Sequence, residues 1–288
     1  MDEAAEEFEQ HRPALLGLAY RLLGSMWDAE DVVQDAYVRW SRVDHAEVRD
    51  PRAYLLTVVG RLALDHVRSA RVTREAYPGP WLPEPVDTEA LGPLDTAELR
   101  DTVSYATLHL MERLSPPERA VFVLREAFAL PYDDVAEVVG ATAAACRQLY
   151  HRAAGRLAEE RGRFRPSREE HARLLDRFLD AARTGDVDAL AGVLSDDVTA
   201  WADGGGKARA ARRAIRGRDQ VLAFLTGLVR RFGVDDERPI DVNGEAALWL
   251  RVGGQDEVLT IGVRDGRIAH VYAVLNPDKL EHARPIPL

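Results

Sequence analysis

Apolar residues recur at three- and four-residue steps from the N-terminus to about Arg161 and then give way to alternating runs. The pattern predicts a helical first part and a mixed last part. Leu15, Leu16, Ala19, Leu22 and Leu23 form one stripe, which Gly24 ends or bends. Trp27-Asp28-Ala29-Glu30-Asp31 opens a second helix, with Val32, Val33, Ala36, Tyr37 and Trp40 on its inner side. Between Val43 and Asp50 the rhythm is lost, which predicts a loop. Pro51 begins a long amphipathic helix through Tyr54, Leu55, Val58, Leu62, Leu64 and Val67. Pro78, Pro80, Pro83, Pro85 and Pro93 cannot sit inside a regular helix. Tyr77 to about Asp95 is therefore expected to be extended and to run over the surface. Helix resumes near Asp95 and ends near Arg161, and a junction at Arg165-Pro166-Ser167 precedes the last third.

That last third begins with helical patterns from Glu169 to Arg183 and Val187 to Leu194. Strand-like runs follow at Val198 to Ala202, Ala246 to Val252, Glu257 to Val263 and Ile268 to Leu275, interrupted by a helix from Asp219 to Phe232. Gly253-Gly254 and Asp265-Gly266 are hairpin signals. The expectation is an α+β domain whose curved antiparallel sheet wraps on helices. No repeat or low-complexity tract is present.

The segment Leu114 to Leu157 carries the most specific chemistry. Ser115 before Pro-Pro-Glu is a helix N-cap signature, and Val121, Leu124 and Phe128 follow at helical spacing. A short helix comes next with Val135, Ala136 and Val139 inward. Gly140 supplies a tight turn and Thr142 can cap the helix after it. In that helix Cys146, Tyr150, Ala153 and Leu157 form the inward stripe. Arg147, Gln148, His151 and Arg152 lie on the adjacent face, and Arg156 extends the positive charge. Arginine and glutamine can read base edges, so this is a candidate DNA-reading face; the competing reading is a solvated basic face on an ordinary bundle helix. Cys146 reads as a small core residue.

The charge balance limits how DNA could be held. At 288 residues with a net charge of −10, the chain cannot coat nucleic acid by bulk attraction. Positive charge is local, with Arg61, Arg68, Arg71 and Arg74 against Asp65 alone. Acids gather from Asp28 to Asp35 and from Glu84 to Asp101. A single cysteine excludes an internal disulfide and argues against structural zinc, and no metal or other cofactor is expected. No apolar run approaches membrane-spanning length, and Met1 through Gln10 is acidic rather than signal-like. A cytoplasmic protein without a membrane partner is expected.

These residues carry a family likeness. Tyr20 to Trp40 resembles region 2.1–2.2 of bacterial extracytoplasmic-function (ECF) sigma factors of the sigma-70 superfamily. Arg52 to Arg68 resembles their region 2.3–2.4, and Leu114 to Leu157 is similar to their region 4. Three short motifs, Trp81-Leu82-Pro83-Glu84-Pro85, Asp203-Gly204-Gly205-Gly206-Lys207 and Asn276-Pro277-Asp278-Lys279-Leu280, resemble those of the sigma-J type. In that type a SnoaL-like C-terminal domain is fused to the sigma regions. The likeness implies a multidomain chain with two all-α sigma domains, a region 2 helical bundle and a region 4 helix-turn-helix, plus an α+β SnoaL-like cone domain. The expected boundaries are region 2 at 1–77, a Pro-rich linker at 78–95, region 4 at 96–162 and the SnoaL-like regulatory domain at 168–288.

The same likeness implies roles for residues. Asp28, Glu30, Asp31, Gln34 and Asp35 would bind RNA polymerase core, whose β′ coiled coil and β subunit are the expected partners. A solvated acidic face is the plainer alternative. Asp44 to Asp50 together with Arg61, Asp65 and Arg68 would read the promoter −10 element. Arg147, Gln148, His151, Arg152 and Arg156 would read the −35 element. Leu149 and Ala154 stand where relatives often carry basic residues. Trp40 could stack on a base, but its place on an apolar stripe favours the core. The three motifs would form a regulatory contact between the C-terminal domain and the sigma regions, with Trp81 docking either on that domain or toward the polymerase. The Asp203 to Lys207 segment is no phosphate loop; its glycines permit close backbone approach or a plain flexible loop.

The cone domain raises the question of chemistry. Asp203, Arg251, His270 and Tyr272 are its candidate acid–base residues, with His270 and Tyr272 on one face of their strand. No nucleophile or metal constellation appears, and regulation or sensing of an unknown small-molecule ligand is the favoured reading over catalysis. Two alternatives remain: a ligand-responsive one-component DNA-binding regulator, and a small-molecule enzyme in the cone domain.

Overall fold

In the computed structural model the described residues are 3–91, 97–161 and 166–285. Two compact units divide the chain: Met1–Glu75 with Glu89–Glu160, and Ala76–Thr88 with Arg161–Leu288. Pro93, Asp95 and Arg165, used above to place boundaries, lie outside the described residues, as do the side chains of Arg71 and Arg74.

The first unit is helical: α1 (Glu3–Leu23), α2 (Met26–Trp40), α3 (Pro51–Glu75), α4 (Ala97–Val103), α5 (Tyr105–Met111), α6 (Pro116–Glu126), α7 (Tyr132–Val139) and α8 (Ala143–Arg161). Gly24 stops α1 with φ 69°, and the Ser25 hydroxyl caps α2 by accepting from the Asp28 N–H at 3.3 Å. Leu15, Ala19 and Leu23 of α1, Val33 and Ala36 of α2, and Leu55 and Leu64 of α3 are buried where these helices pack together. Between α2 and α3 the expected loop contains one 3-10 turn, His45–Glu47, started by the Asp44 carboxylate. A buried arginine was not legible from the stripe. Arg21 of α1 donates to the Thr102 hydroxyl at 2.9 Å and to the Gly17 and Leu99 carbonyls, and burial lowers its pKa to about 10.

The second unit contains α9 (Arg168–Thr184), α10 (Val187–Val193), β1 (Leu194–Asp203), β2 (Ile215–Arg216), α11 (Arg218–Phe232), β3 (Asp236–Val242), β4 (Glu245–Val252), β5 (Gln255–Arg264) and β6 (Arg267–Val274). The sheet order is β2-β1-β6-β5-β4-β3. The expectation of a wholly antiparallel sheet needs correction, because β1 pairs with β6 in parallel while every other pair is antiparallel. Two strands went unread for physical reasons. β2 has two residues, and β3 is an edge strand whose charges and Pro239 hide the alternation. Hairpin turns occur at Gly253-Gly254 and Asp265-Gly266, and also at Asn243-Gly244, each with positive φ at both positions. Leu174, Phe178, Val221, Leu248, Ile261 and Val271 belong to the core between helices and sheet.

Candidate functional site

The α6–α7–α8 segment is built as its sequence dictates. Glu118 Oε2 accepts from the Ser115 N–H at 3.1 Å and from its hydroxyl at 2.8 Å, fixing the start of α6. Gly140 ends α7 at φ 73°, and the Thr142 hydroxyl accepts from the Ala145 N–H at the start of α8. Cys146, Ala153 and Leu157 are buried; Arg147, Gln148, His151, Arg152 and Arg156 are exposed. Tyr150 is half-buried, and its hydrogen bond to Glu126 at 2.7 Å, helped by burial, raises its pKa to about 12. Not all of the basic face is open. Arg152 and Arg156 reach Glu118 at 3.4 and 3.2 Å, and the Arg147 guanidinium lies 5.0 Å from the Tyr132 ring centre. Burial would raise the Glu118 pKa, but the Ser115 hydrogen bonds and the two arginines outweigh it and hold the carboxyl below its ordinary value.

On α2, Asp31, Gln34 and Asp35 are exposed, while Asp28 and Glu30 are half-buried and Asp28 faces His66 at 3.4 Å. Trp40 is buried and donates its indole N–H to the Ala4 carbonyl at 2.8 Å, so it belongs to the core. Arg61, Asp65 and Arg68 are exposed on one side of α3, with Arg68 pairing Asp65 at 3.3 Å. Arg61 reaches α7 instead, donating to the Glu137 carbonyl at 3.0 Å and to its carboxylate at 2.9 Å. Beside it Gly60 lets the helices close: a Cβ there would lie 2.8 Å from a Val138 methyl.

The three short motifs, far apart in sequence, converge on one buried carboxylate within the second unit. Asp203 is fully buried. Its Oδ1 accepts from the Tyr77 hydroxyl at 2.7 Å and the Gly205 N–H at 3.0 Å, and its Oδ2 accepts from the Leu82 N–H at 2.9 Å and Lys279 Nζ at 2.8 Å. Lys279 also donates to the Leu82 carbonyl at 2.6 Å and sits 4.1 Å from the Trp81 ring centre. Asn276 donates to the Tyr77 oxygen at 2.9 Å, and Lys207 pairs with Asp278. Burial, then the bond to Asp203, pushes the Tyr77 phenol well above its usual range. The glycines serve close approach. A Cβ on Gly205 would meet the Asn276 amide at 2.3 Å, and one on Gly206 would meet Pro78 at 2.9 Å.

The expectation that this linker runs over the surface is therefore corrected, since Leu82 to Val86 are buried. A proline-rich segment can be buried cheaply because it brings few N–H donors, and those of Leu82 and Val86 are matched. The Val86 N–H donates to the Asn243 side chain and its carbonyl accepts from the Asn243 N–H. Asp87 donates to the His282 carbonyl, and Glu84 pairs with the His282 ring. Tyr77, Asn243 and His282 were missed in the sequence, for they lie outside the motifs and only the fold brings them in.

A cleft partly open to solvent lies between the sheet and α11. Its lining includes Ala202, Phe224, Leu228, Leu259 and Ala273. None of the four acid–base candidates lines it. Asp203 is committed to the linker and Arg251 is exposed and paired with Asp256 at 2.7 Å. Strand parity turns His270 and Tyr272 to the other face of β6, where both rings lie beside Trp201, because Val271 and Ala273 take the cleft side. The acid in the cleft is Glu257, opposite Leu250 in the register and 5% exposed; burial raises its pKa to about 7. Its parity with Leu259 and Ile261 was the signal in the sequence. Among the described residues no cluster suited to a metal ion occurs, and no helix is long and apolar enough to cross a membrane.

Comparison with known proteins bears on all three parts. Residues 8–73 match the sigma-70 region 2 family, 105–157 the sigma-70 region 4 family and 175–274 the SnoaL-like domain family. The ECF RNA polymerase sigma factor SigJ of Mycobacterium tuberculosis is 40% identical over 287 residues, covering 95% of this chain and 92% of that one. The probable ECF RNA polymerase sigma factor SigI of the same species is 37% identical, covering 98% and 97%. The crystal structure of the M. tuberculosis SigJ protein superposes with a TM-score of 0.78 at 36% identity, covering 97% of this chain and 99% of the other.

Proposed function

The chain belongs to the ECF RNA polymerase sigma factors, and from that membership we propose that it joins polymerase core in the cytoplasm, directs it to promoters and is regulated by its own C-terminal domain. We divide the work as region 2 at 1–77, a linker at 78–95, region 4 at 96–162 and a regulatory domain at 168–288. The observation that carries the reading is the exposed face of α8, where Arg147, Gln148 and His151 follow the Gly140 turn over a buried Cys146–Ala153–Leu157 stripe. That arrangement suits a recognition helix entering the major groove of the −35 element, with Arg152 and Arg156 on phosphates.

In this proposal the acidic surface of Asp28, Glu30, Asp31, Gln34 and Asp35 meets the β′ coiled coil of the polymerase, and region 4 engages the β subunit. Arg61, Asp65 and Arg68 serve the −10 element. Arg61 is tied to Glu137 and the Glu118 carboxylate holds two α8 arginines, so promoter binding competes with contacts inside the first unit. The chain then works by population shift between a closed arrangement and a promoter-bound one.

The Asp203–Lys279 hub fixes one end of the linker between regions 2 and 4 on the C-terminal domain, which gives that domain its control over the two modules. We read the domain as a regulator rather than a catalyst, consistent with an Asp203 engaged by four donors. Run-off transcription with core polymerase tests the proposal, comparing full-length protein with truncations near Arg165 and after Lys207. Altered promoter use on truncation supports autoregulation, and unchanged use removes it. Failure of the full chain to associate with core polymerase overturns the whole reading.

A further inference from the structure

We propose that the cleft of the C-terminal unit is a binding site for an apolar small molecule bearing one protonated amine, with Glu257 as the group that receives the amine. The lining is almost wholly aliphatic and aromatic, as ligand sites generally are, with few polar groups to fix orientation. Glu257 stands on the wall of this cleft, 95% removed from solvent, and burial is the sole cause of its raised pKa, at about 7. Among the described residues, no hydrogen bond or ion pair engages its carboxylate. The other charged residue of the lining is Arg209, which is exposed and whose backbone is held by Gln255 through two bonds at 3.3 Å.

A carboxyl placed this way is poorly explained by folding alone. Its anion is almost removed from solvent and has no counter-charge, which opposes stability, and a leucine of similar size would complete the apolar wall. A ligand that brings both apolar surface and a cationic donor answers both features at once. The apolar part replaces water against Phe224, Leu228 and Leu259, and the ammonium gives the carboxylate its missing partner. An anionic ligand would meet repulsion, and a neutral alcohol would supply a hydrogen bond without charge. The site stands independently of promoter function, since binding alone defines it.

Titration calorimetry on the full chain at about pH 8, where Glu257 is ionised, provides the test, with 4-phenylbutylamine and 4-phenylbutanol as probes. The amine is expected to bind at least about tenfold more tightly than the alcohol. Glu257→Gln should remove that preference while leaving the alcohol's affinity unchanged; it deletes a buried charge, so folding is not at risk, and thermal unfolding verifies this. Ala211→Trp, at the cleft wall, should weaken both probes and so locate the site. Equal binding of amine and alcohol to the native chain, full amine affinity in Glu257→Gln, or no binding of the amine overturns the proposal.

Discussion

Glu118 meets Arg152 and Arg156 at 3.4 and 3.2 Å with both guanidiniums more than half exposed, whereas Lys279 meets Asp203 at 2.8 Å with the carboxylate wholly buried. In the first cluster Glu118 is buried as well, but its partners are the solvent-screened ends of two exposed arginines, which it holds weakly. The second is sequestered: four donors converge on Asp203, and removing one partner strands the other in low dielectric. Charge in the helix-turn-helix is thus available for binding, while charge at the hub specifies which segment docks where.

The sharpest way to break this contrast is Asp203→Ala, which leaves Lys279 buried without its counter-charge. A loss of about 3–5 kcal/mol is expected in denaturant unfolding, together with new protease cleavage within 78–88. Adding Lys279→Leu should recover much of that loss; if it recovers none, charge pairing is not what the hub contributes.

A buried carboxyl without a partner offers the next comparison. Glu257 has a folded pKa of about 7 against an ordinary 4.5, so the folded state binds more protons than the unfolded one between those values. The contribution of Glu257 is complete below about pH 4.5, falls as pH rises toward 7 by about 3 kcal/mol, and then levels off. Glu257→Gln should flatten that component of the pH profile, and a profile identical to the native one would refute it.

At the exposed cluster the effects shrink. Arg147→Ala should weaken promoter binding by the polymerase complex by roughly 1–3 kcal/mol while leaving unfolding nearly unchanged; equal promoter use by the variant would count against the α8 assignment. Least of all, Arg156→Ala should alter unfolding by under about 1 kcal/mol, because its ion pair is solvent-screened. A larger loss there would mean that the two clusters do not differ as argued.

Legibility in the sequence followed the range of the contacts. Periodicity located the inward residues of α1, α2, α3 and α8, because a helix repeats its environment every few residues. It failed for Arg21, which looks like a surface residue and is buried through partners about 80 positions away. In the last domain alternation found β4, β5 and β6, but edge strand β3, with Pro239 and its charges, gave no such signal. For the acid–base candidates, parity along β6 grouped His270 with Tyr272 without saying which face the cleft occupied.

Sequence by itself determined the helical blocks, the Gly140 turn, the basic face of α8 and the kinship of the chain, since each rests on neighbours within a few turns or on a contiguous motif. Only tertiary structure decided that Trp81 to Pro85, Asp203 to Lys207 and Asn276 to Leu280 meet around one carboxylate, and that Glu257 rather than His270 faces the cleft. Those outcomes depend on sheet register and on the parallel β1–β6 pairing, which bring residues more than a hundred positions apart into hydrogen-bond range and leave no local imprint in the chain.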